Sequence, residues 1–312
     1  MDKPVQNIPK AIFSKLGAVV FFMAMATLVK IASERVPPGQ TVFFRSICAL
    51  PIILGWIAMR GELMTGLKTS NPLGHFWRGL IGVTAMSMGF AALGLLPLSE
   101  VKAIQYAQPV LVVIFAAMFL GERVRAFRLT AVALGMIGVL IIMSPRLTAF
   151  SDAGADPFLA LGAILAFGSA VLAGLAHVFV RKLTMSEPTS AIVFWFSITA
   201  TVLSLITLPF GWVWPTGPEA AALIGAGICG GIGQILMTSS YRYADASVVA
   251  PFEYFSILLA IGIGYFVFAE VPTLVMLGGI ALIIAAGILI IWREHKLGHE
   301  RKQARKAMTP QG

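Results

Sequence analysis

The sequence predicts an all-α membrane protein whose ten transmembrane helices are formed by two inverted five-helix repeats. Three observations predict it. The 312 residues are 58% hydrophobic and only 12% charged, against about 45–50% and about 25% in soluble domains, so apolar surface is left over for lipid. Apolar runs of about 20 residues, each long enough to cross roughly 30 Å of hydrocarbon as a helix, recur ten times along the chain. The two halves of the chain also echo each other in a common order.

In chain order the runs cover 12–31, 39–59, 76–95, 99–120, 127–144, 158–180, 189–210, 219–240, 247–268 and 272–292. Short polar or proline-containing breaks separate them, which leaves no room for a soluble domain. Lys10 and Lys15 ahead of Ala24-Met25-Ala26 have the outline of a cleavable leader, but the segment has a later counterpart and is read as a retained span. The formal charge of +9 would suggest nucleic acid or acidic partners in a soluble protein. Here it reports topology. Eighteen of the 23 Lys and Arg, Lys15 and Arg78 among them, fall on the side shared by both termini. Four (Lys30, Arg35, Lys102, Arg146) fall opposite, and Arg45 lies within a span. The positive-inside rule then puts both termini in the cytoplasm of a multi-pass inner-membrane protein, with a basic cytoplasmic tail over 293–312. Cys48 and Cys229 both lie in apolar runs, which offers neither a disulfide framework nor a thiol metal site.

The duplication rests on a gapless overlay. Ser99 to Ile142 matches Ser247 to Ile290 at a constant shift of 148, pairing Tyr106 with Tyr254 and Glu122 with Glu270. Leu16-Gly17-Ala18 echoes Leu161-Gly162-Ala163, and the stretch Val42 to Ser46 echoes Val193 to Ser197. The repeats are therefore placed at 12–144 and 158–292. Five is odd, so the two copies run antiparallel through the membrane, the architecture of alternating-access carriers with a site near the midplane.

Pro97 to Tyr106, the Gly121-Glu122 ending and Ala246 to Tyr254, set in a 5+5 duplication, resemble the EamA-type branch of the drug/metabolite transporter superfamily. The resemblance covers nearly the whole chain and implies a secondary transporter of small metabolites, not an enzyme. It leaves the substrate open among amino acids, nucleosides, S-adenosylmethionine, riboflavin and other metabolites, in either direction. The last two spans lean toward a subgroup that includes riboflavin importers and S-adenosylmethionine carriers.

An ionisable side chain in a span costs roughly 2.5–3.5 kcal/mol on insertion scales and calls for a partner, a cavity or a task. Arg45 has Phe196 as its repeat counterpart, so symmetry does not require its charge. It reads either as an anchor for a carboxylate or phosphate or as a structural cation that snorkels or bonds to backbone carbonyls. Glu253 follows Pro251-Phe252 and is matched by neutral Gln105. Burial disfavours a carboxylate's charged form, so Glu253 is a candidate for proton coupling, or else a structural hydrogen-bonding group. Tyr106 and Tyr254, with Phe43 and Trp195 near the same level, are candidates for substrate binding, and their rings are the residue-level reason for the riboflavin lean. Glu122 and Glu270 close spans on opposite faces and read as gating latches or as interfacial charges. His177 is placed to reach headgroups.

Gly225 to Gly230 formally matches a dinucleotide fingerprint, but no strand precedes it, and close helix packing by Gly227, Gly231 and Gly233 explains it better. Pro51, Pro109, Gly262 and Gly264 read as kinks at depth. No Walker A sequence, zinc-protease motif or nucleophile elbow occurs, which weighs against an ATP-driven pump and an intramembrane enzyme; a channel is the remaining rival. No cofactor or metal is implied. The expected partners are a small-molecule substrate and the lipid bilayer, with no nucleic acid, in a monomer or homodimer.

Overall fold

The computed structural model describes residues 7–120, 126–147, 157–244, 246–249, 252–253, 255–285 and 288–289. Among them every regular element is a helix. Seven helices are long and apolar enough to cross a membrane, and three shorter apolar ones accompany them. Glu122, Pro251, Tyr254 and the tail over 293–312 lie outside the described residues.

The helices start where asparagine, proline and threonine permit. α1 (Ile8–Ala32) is capped by Asn7, whose side chain accepts the Lys10 N–H at 3.1 Å. α2 (Pro38–Met59) follows Pro37, a residue type that suits a helix start because its missing N–H is not needed there. α3 (Pro72–Leu95) is capped by Asn71, which accepts the Gly74 N–H at 2.9 Å. α1 and α3 thus begin four residues earlier than hydropathy placed them. The fourth span, Leu98–Leu120, is split at Tyr106 into α4 (Leu98–Gln105) and α5 (Ala107–Leu120). Pro109, near the start of α5, has no N–H to return to the Gln105 carbonyl, which accounts for the break.

α6 (Ala126–Leu147) and α7 (Pro157–Leu183) follow, then α8 (Thr189–Ser204), which runs into a 3₁₀ turn at Leu205–Phe210 containing Pro209. α9 (Gly217–Tyr243) opens on a reciprocal cap between Thr216 and Glu219. α10 (Ala246–Val249), α11 (Phe255–Phe268) and α12 (Leu274–Ala285) complete the described chain.

Small residues let the helix backbones approach. α1 packs most extensively on α9, where Gly225 meets Leu28 and Gly233 meets Phe22. α3 packs on α7, where Gly162 meets Leu95 and Leu96. α2 lies on α9 with Gly227 against Cys48 and Gly231 against Ala49, so the dinucleotide-like glycines are a packing surface. α6 meets α12 through the backbones of Gly138 and Gly279. The main apolar core draws on α1 to α9, α11 and α12 and borders a cavity into which charged and polar side chains project.

Candidate functional site

The early starts of α1 and α3 carry two charges into the bundle. Lys15 and Arg78 each sit about two turns past the first helical residue and are 1% and 3% exposed. The sequence places both among the charges at the membrane face; the structure buries them. Arg45, from α2, is 1% exposed and faces the same space.

Arg45 Nη2 donates to the Gly230 carbonyl at 3.2 Å, while its Nε and Nη1 are buried without a hydrogen-bond partner. Its guanidinium carbon lies 5.6 Å from the centroid of the Phe196 ring, the residue with which the sequence overlay aligns it. Arg78 stacks on the same ring at 3.6 Å, and its Nε and Nη1 are likewise unpartnered. Glycines supply the room: a β-carbon on Gly82 would lie 2.6 Å from Arg78 Nη1, and one on Gly230 would lie 2.6 Å from Arg45 Nε.

These groups face a cavity of about 180 Å³. Its walls come from both halves of the chain: Phe22 and Met25 of α1, Met86 and Phe90 of α3, Lys102, Gln105 and Gln108 of the broken span, Ser169 and His177 of α7, Gln234 of α9, and Glu253. Lys102 Nζ donates to Gln105 Oε1 at 3.3 Å, and Gln105 Nε2 donates to Ser169 Oγ at 3.2 Å. His177 does not reach outward; its Nδ1 shares a hydrogen bond of 2.7 Å with Gln108 Nε2, and its ring lies 5.3 Å from that of Tyr241. Glu253 is ion-paired with Lys15, whose ammonium also sits 5.7 Å from the centroid of the buried Tyr241 ring.

Magnitudes separate these charges. Placing an arginine at depth costs roughly 2.5–3.5 kcal/mol, whereas a cation–π contact returns about 0.5–2 kcal/mol and a hydrogen bond to a charged group about 1.5–3 kcal/mol. Lys15 and Glu253 balance each other. Arg45 is partly compensated by Gly230, and among the described residues Arg78 has only the Phe196 ring. No carboxylate among the described residues pairs with either guanidinium. Among the same residues no group of three or more His, Cys, Asp or Glu gathers to hold a metal ion.

The other predicted residues are dispersed. Tyr106 is 3% exposed and its hydroxyl lies 2.8 Å from Ser256 Oγ, joining α4 to α11 beside the cavity without lining it. Phe43 packs on Phe44 and Trp212. Trp195 donates its indole N–H to the Leu67 carbonyl at 3.0 Å and stacks edgewise on Phe194. Neither lines the cavity. The sequence reading missed Lys15, Arg78, Lys102 and the three glutamines; for Lys15 and Arg78 the available signal was Asn7 and Asn71 followed closely by proline, which move the helix starts outward.

Two carboxylates tie helix ends together at opposite ends of the bundle. Glu270 accepts from Leu98 N (2.8 Å), Ser99 N (3.1 Å) and Ser99 Oγ (3.0 Å), which caps α4, and lies 3.7 Å from Lys30 Nζ. Lys30 in turn donates to the Leu96 carbonyl at 2.9 Å. At the other end Glu187, between α7 and α8, accepts from Ser70 N (2.9 Å), Ser70 Oγ (2.8 Å), Asn71 N (3.0 Å) and Thr69 Oγ1 (3.2 Å), holding the start of α3. Burial pushes the Glu187 carboxyl up, but the Ser70 and Thr69 hydrogen bonds outweigh it and hold the group below the usual carboxylate value.

The chain is similar to known proteins along nearly its whole length. The EamA-like transporter family matches it twice, over residues 9–144 and 160–292. The pseudopaline exporter of Pseudomonas aeruginosa is 31% identical, over 86% of this chain and 89% of that protein. The riboflavin transporter of Rhizobium johnstonii is 28% identical, over 97% and 96%. The S-adenosylmethionine uptake transporter of Rickettsia felis is 26% identical, over 90% and 92%. A solved crystal structure that is 23% identical superposes with a TM-score of 0.70, covering 93% of this chain and 99% of its own, which establishes the shared fold.

Proposed function

The chain belongs to the EamA-like transporter family, and from that premise we propose that it is a secondary carrier moving a small metabolite across the bacterial inner membrane by alternating access. The single observation that carries this reading is the cavity enclosed by both halves of the chain and lined by charged and polar as well as apolar side chains, with a carboxylate tying helix ends together at each end of the bundle. A site at the junction of two copies is what rocking of one copy against the other requires.

The finer architecture belongs to this proposal: ten spans, with α11, α12 and the short apolar helix in α6 completing the seven long ones, arranged as two inverted repeats. Two family matches of similar length support the duplication. So does the packing, because exchanging the halves turns the α1 and α9 contact into that of α7 and α3. The termini are assigned to the cytoplasm; without Lys15 and Arg78, sixteen basic residues remain on that side against four.

Arg45 serves in substrate binding, and Tyr106 shapes the cavity's edge; Tyr254, outside the described residues, keeps its substrate-binding role from the sequence reading alone. Glu270 and Glu122 act as gates. Glu253 couples transport to protons: Lys15 and a proton compete for one carboxylate, so opening the ion pair lets the proton load. Riboflavin uptake is the substrate reading favoured by sequence. Its support is now the name of one relative, since Phe43 and Trp195 do not line the cavity. Export or exchange of amino acids, S-adenosylmethionine or other metabolites is the second reading, supported by the 31% identity to an exporter. Monomer and homodimer both accommodate it.

The test is thermal stabilisation of the purified chain by riboflavin, S-adenosylmethionine, amino acids and nucleosides, because a ligand that binds only the folded state raises its stability. A concentration-dependent rise with one of them is expected. No rise with riboflavin at high concentration overturns the riboflavin reading.

A further inference from the structure

Arg45 and Arg78 share one ring and one cavity, and the described residues offer them no counter-charge. Each is at least 97% buried, and each has two donor nitrogens, Nε and Nη1, without a partner. Buried donors are ordinarily satisfied, so two pairs of unpartnered donors turned into one cavity call for an explanation, and an acceptor bound between them is the one that also answers their charge. The position is maintained by the backbone around it. Gly82 and Gly230 leave no side chain where the two guanidiniums lie, and the Gly230 carbonyl holds Arg45 in place. Lys102 lines the same cavity, and the acidic wall residue, Glu253, is already engaged by Lys15. The wall therefore carries surplus positive charge in a medium where like charges are weakly screened.

We propose that the two arginines form the anchoring site for an anionic group of the transported solute, a carboxylate or phosphate bridged between Arg45 and Arg78 over Phe196. This rests on the carrier reading and adds the substrate's charge to it. Guanidinium forks match the paired oxygens of both groups and bind them through parallel charge-assisted hydrogen bonds. A cationic solute would add a third positive charge to the pair, and a neutral one would leave the donors uncompensated. The site thus selects by charge before it selects by shape. The cavity of about 180 Å³ is below the roughly 300–1,000 Å³ of drug-sized ligand pockets, so in this conformation it fits a compact anionic head group.

The experiment is a binding titration on the full-length purified chain in low-chloride buffer, with probes paired by charge: glutarate against glutaramide, citrate against glycerol, and flavin mononucleotide against riboflavin. The expected result is stabilisation by at least one anionic member and none by its neutral partner, with affinity falling as salt rises. Arg45→Gln and Arg78→Gln are each expected to weaken that anion about tenfold to hundredfold. Arg45→Lys, which keeps the charge and loses the fork, should fall between them and the native chain. Because the paired probes are read on the native protein, misfolding of a variant does not decide the outcome. Equal binding of charged and neutral partners, binding of the neutral ones alone, or no binding of any anionic probe overturns the site. Counterflow of a neutral solute that survives both Gln substitutions overturns the anion site and leaves the carrier standing, whereas anion binding without any counterflow does the reverse.

Discussion

Glu253 holds Lys15, whose ammonium is almost wholly buried, and the consequence is measurable at the level of single side chains. Removing one partner of a buried pair strands the other charge and costs about 3–5 kcal/mol, whereas replacing both with apolar residues is often nearly neutral. Glu253→Gln should therefore lower the unfolding free energy by about 3–5 kcal/mol, and the double variant Lys15→Met, Glu253→Leu should recover most of it, read by chemical denaturation in detergent. In vesicles, Glu253→Gln should abolish proton-driven accumulation and spare exchange; unchanged uphill uptake would remove Glu253 from coupling. The sequence exposed Arg45 and Glu253 because a charge deep in an apolar run stands out. It hid Lys15 and Arg78 because a charge near the end of such a run looks like a topology signal until the helix start is fixed. Asn7 and Asn71 fix those starts through their caps.

At the scale of elements, the latches depend on how helices end. α11 stops with Ala269 in the left-handed region at φ 53° and the Glu270 N–H returned to the Gly264 carbonyl at 2.9 Å, a closing motif that glycine fits best. Ala269→Gly should stabilise the protein by up to about 1 kcal/mol, since the left-handed conformation costs a residue with a β-carbon roughly 1–2 kcal/mol and glycine gives part of that back in chain entropy; a lower melting temperature would contradict this. The same turn delivers Glu270 to the start of α4, and Gly264 leaves space for its carboxylate. Glu187 makes a pH prediction. A carboxyl held below its unfolded value stabilises the fold above that value, and the contribution is lost as pH falls through the folded one. The melting-temperature gap between the native chain and Glu187→Gln should be full at pH 7 and close only below about pH 4; a constant gap would rule out the ionised latch. Hydropathy located the seven long apolar helices well, because a span must be apolar along its length. The break at Tyr106 and the capping carboxylates escaped it, since both depend on contacts between distant segments.

Across the whole molecule, Glu187 and Glu270 tie helix ends together on opposite sides of the bundle, and the proposed alternating access requires them to be released in turn, never together. Hydropathy made the all-helical, multi-span character legible, because long apolar runs show in the sequence whatever the individual contacts are. The cavity's composition was less legible: its lining comes from α1, α2, α3, the broken span, α7, α8 and α9, and which faces converge follows from packing that no single segment encodes. The most direct measurement is counterflow in proteoliposomes with the solute that stabilises the purified chain. Alternating access predicts saturable uptake of labelled solute against an excess of unlabelled solute inside, with no steady conductance. Conductance of that solute without counterflow would contradict a carrier and leave a channel in its place.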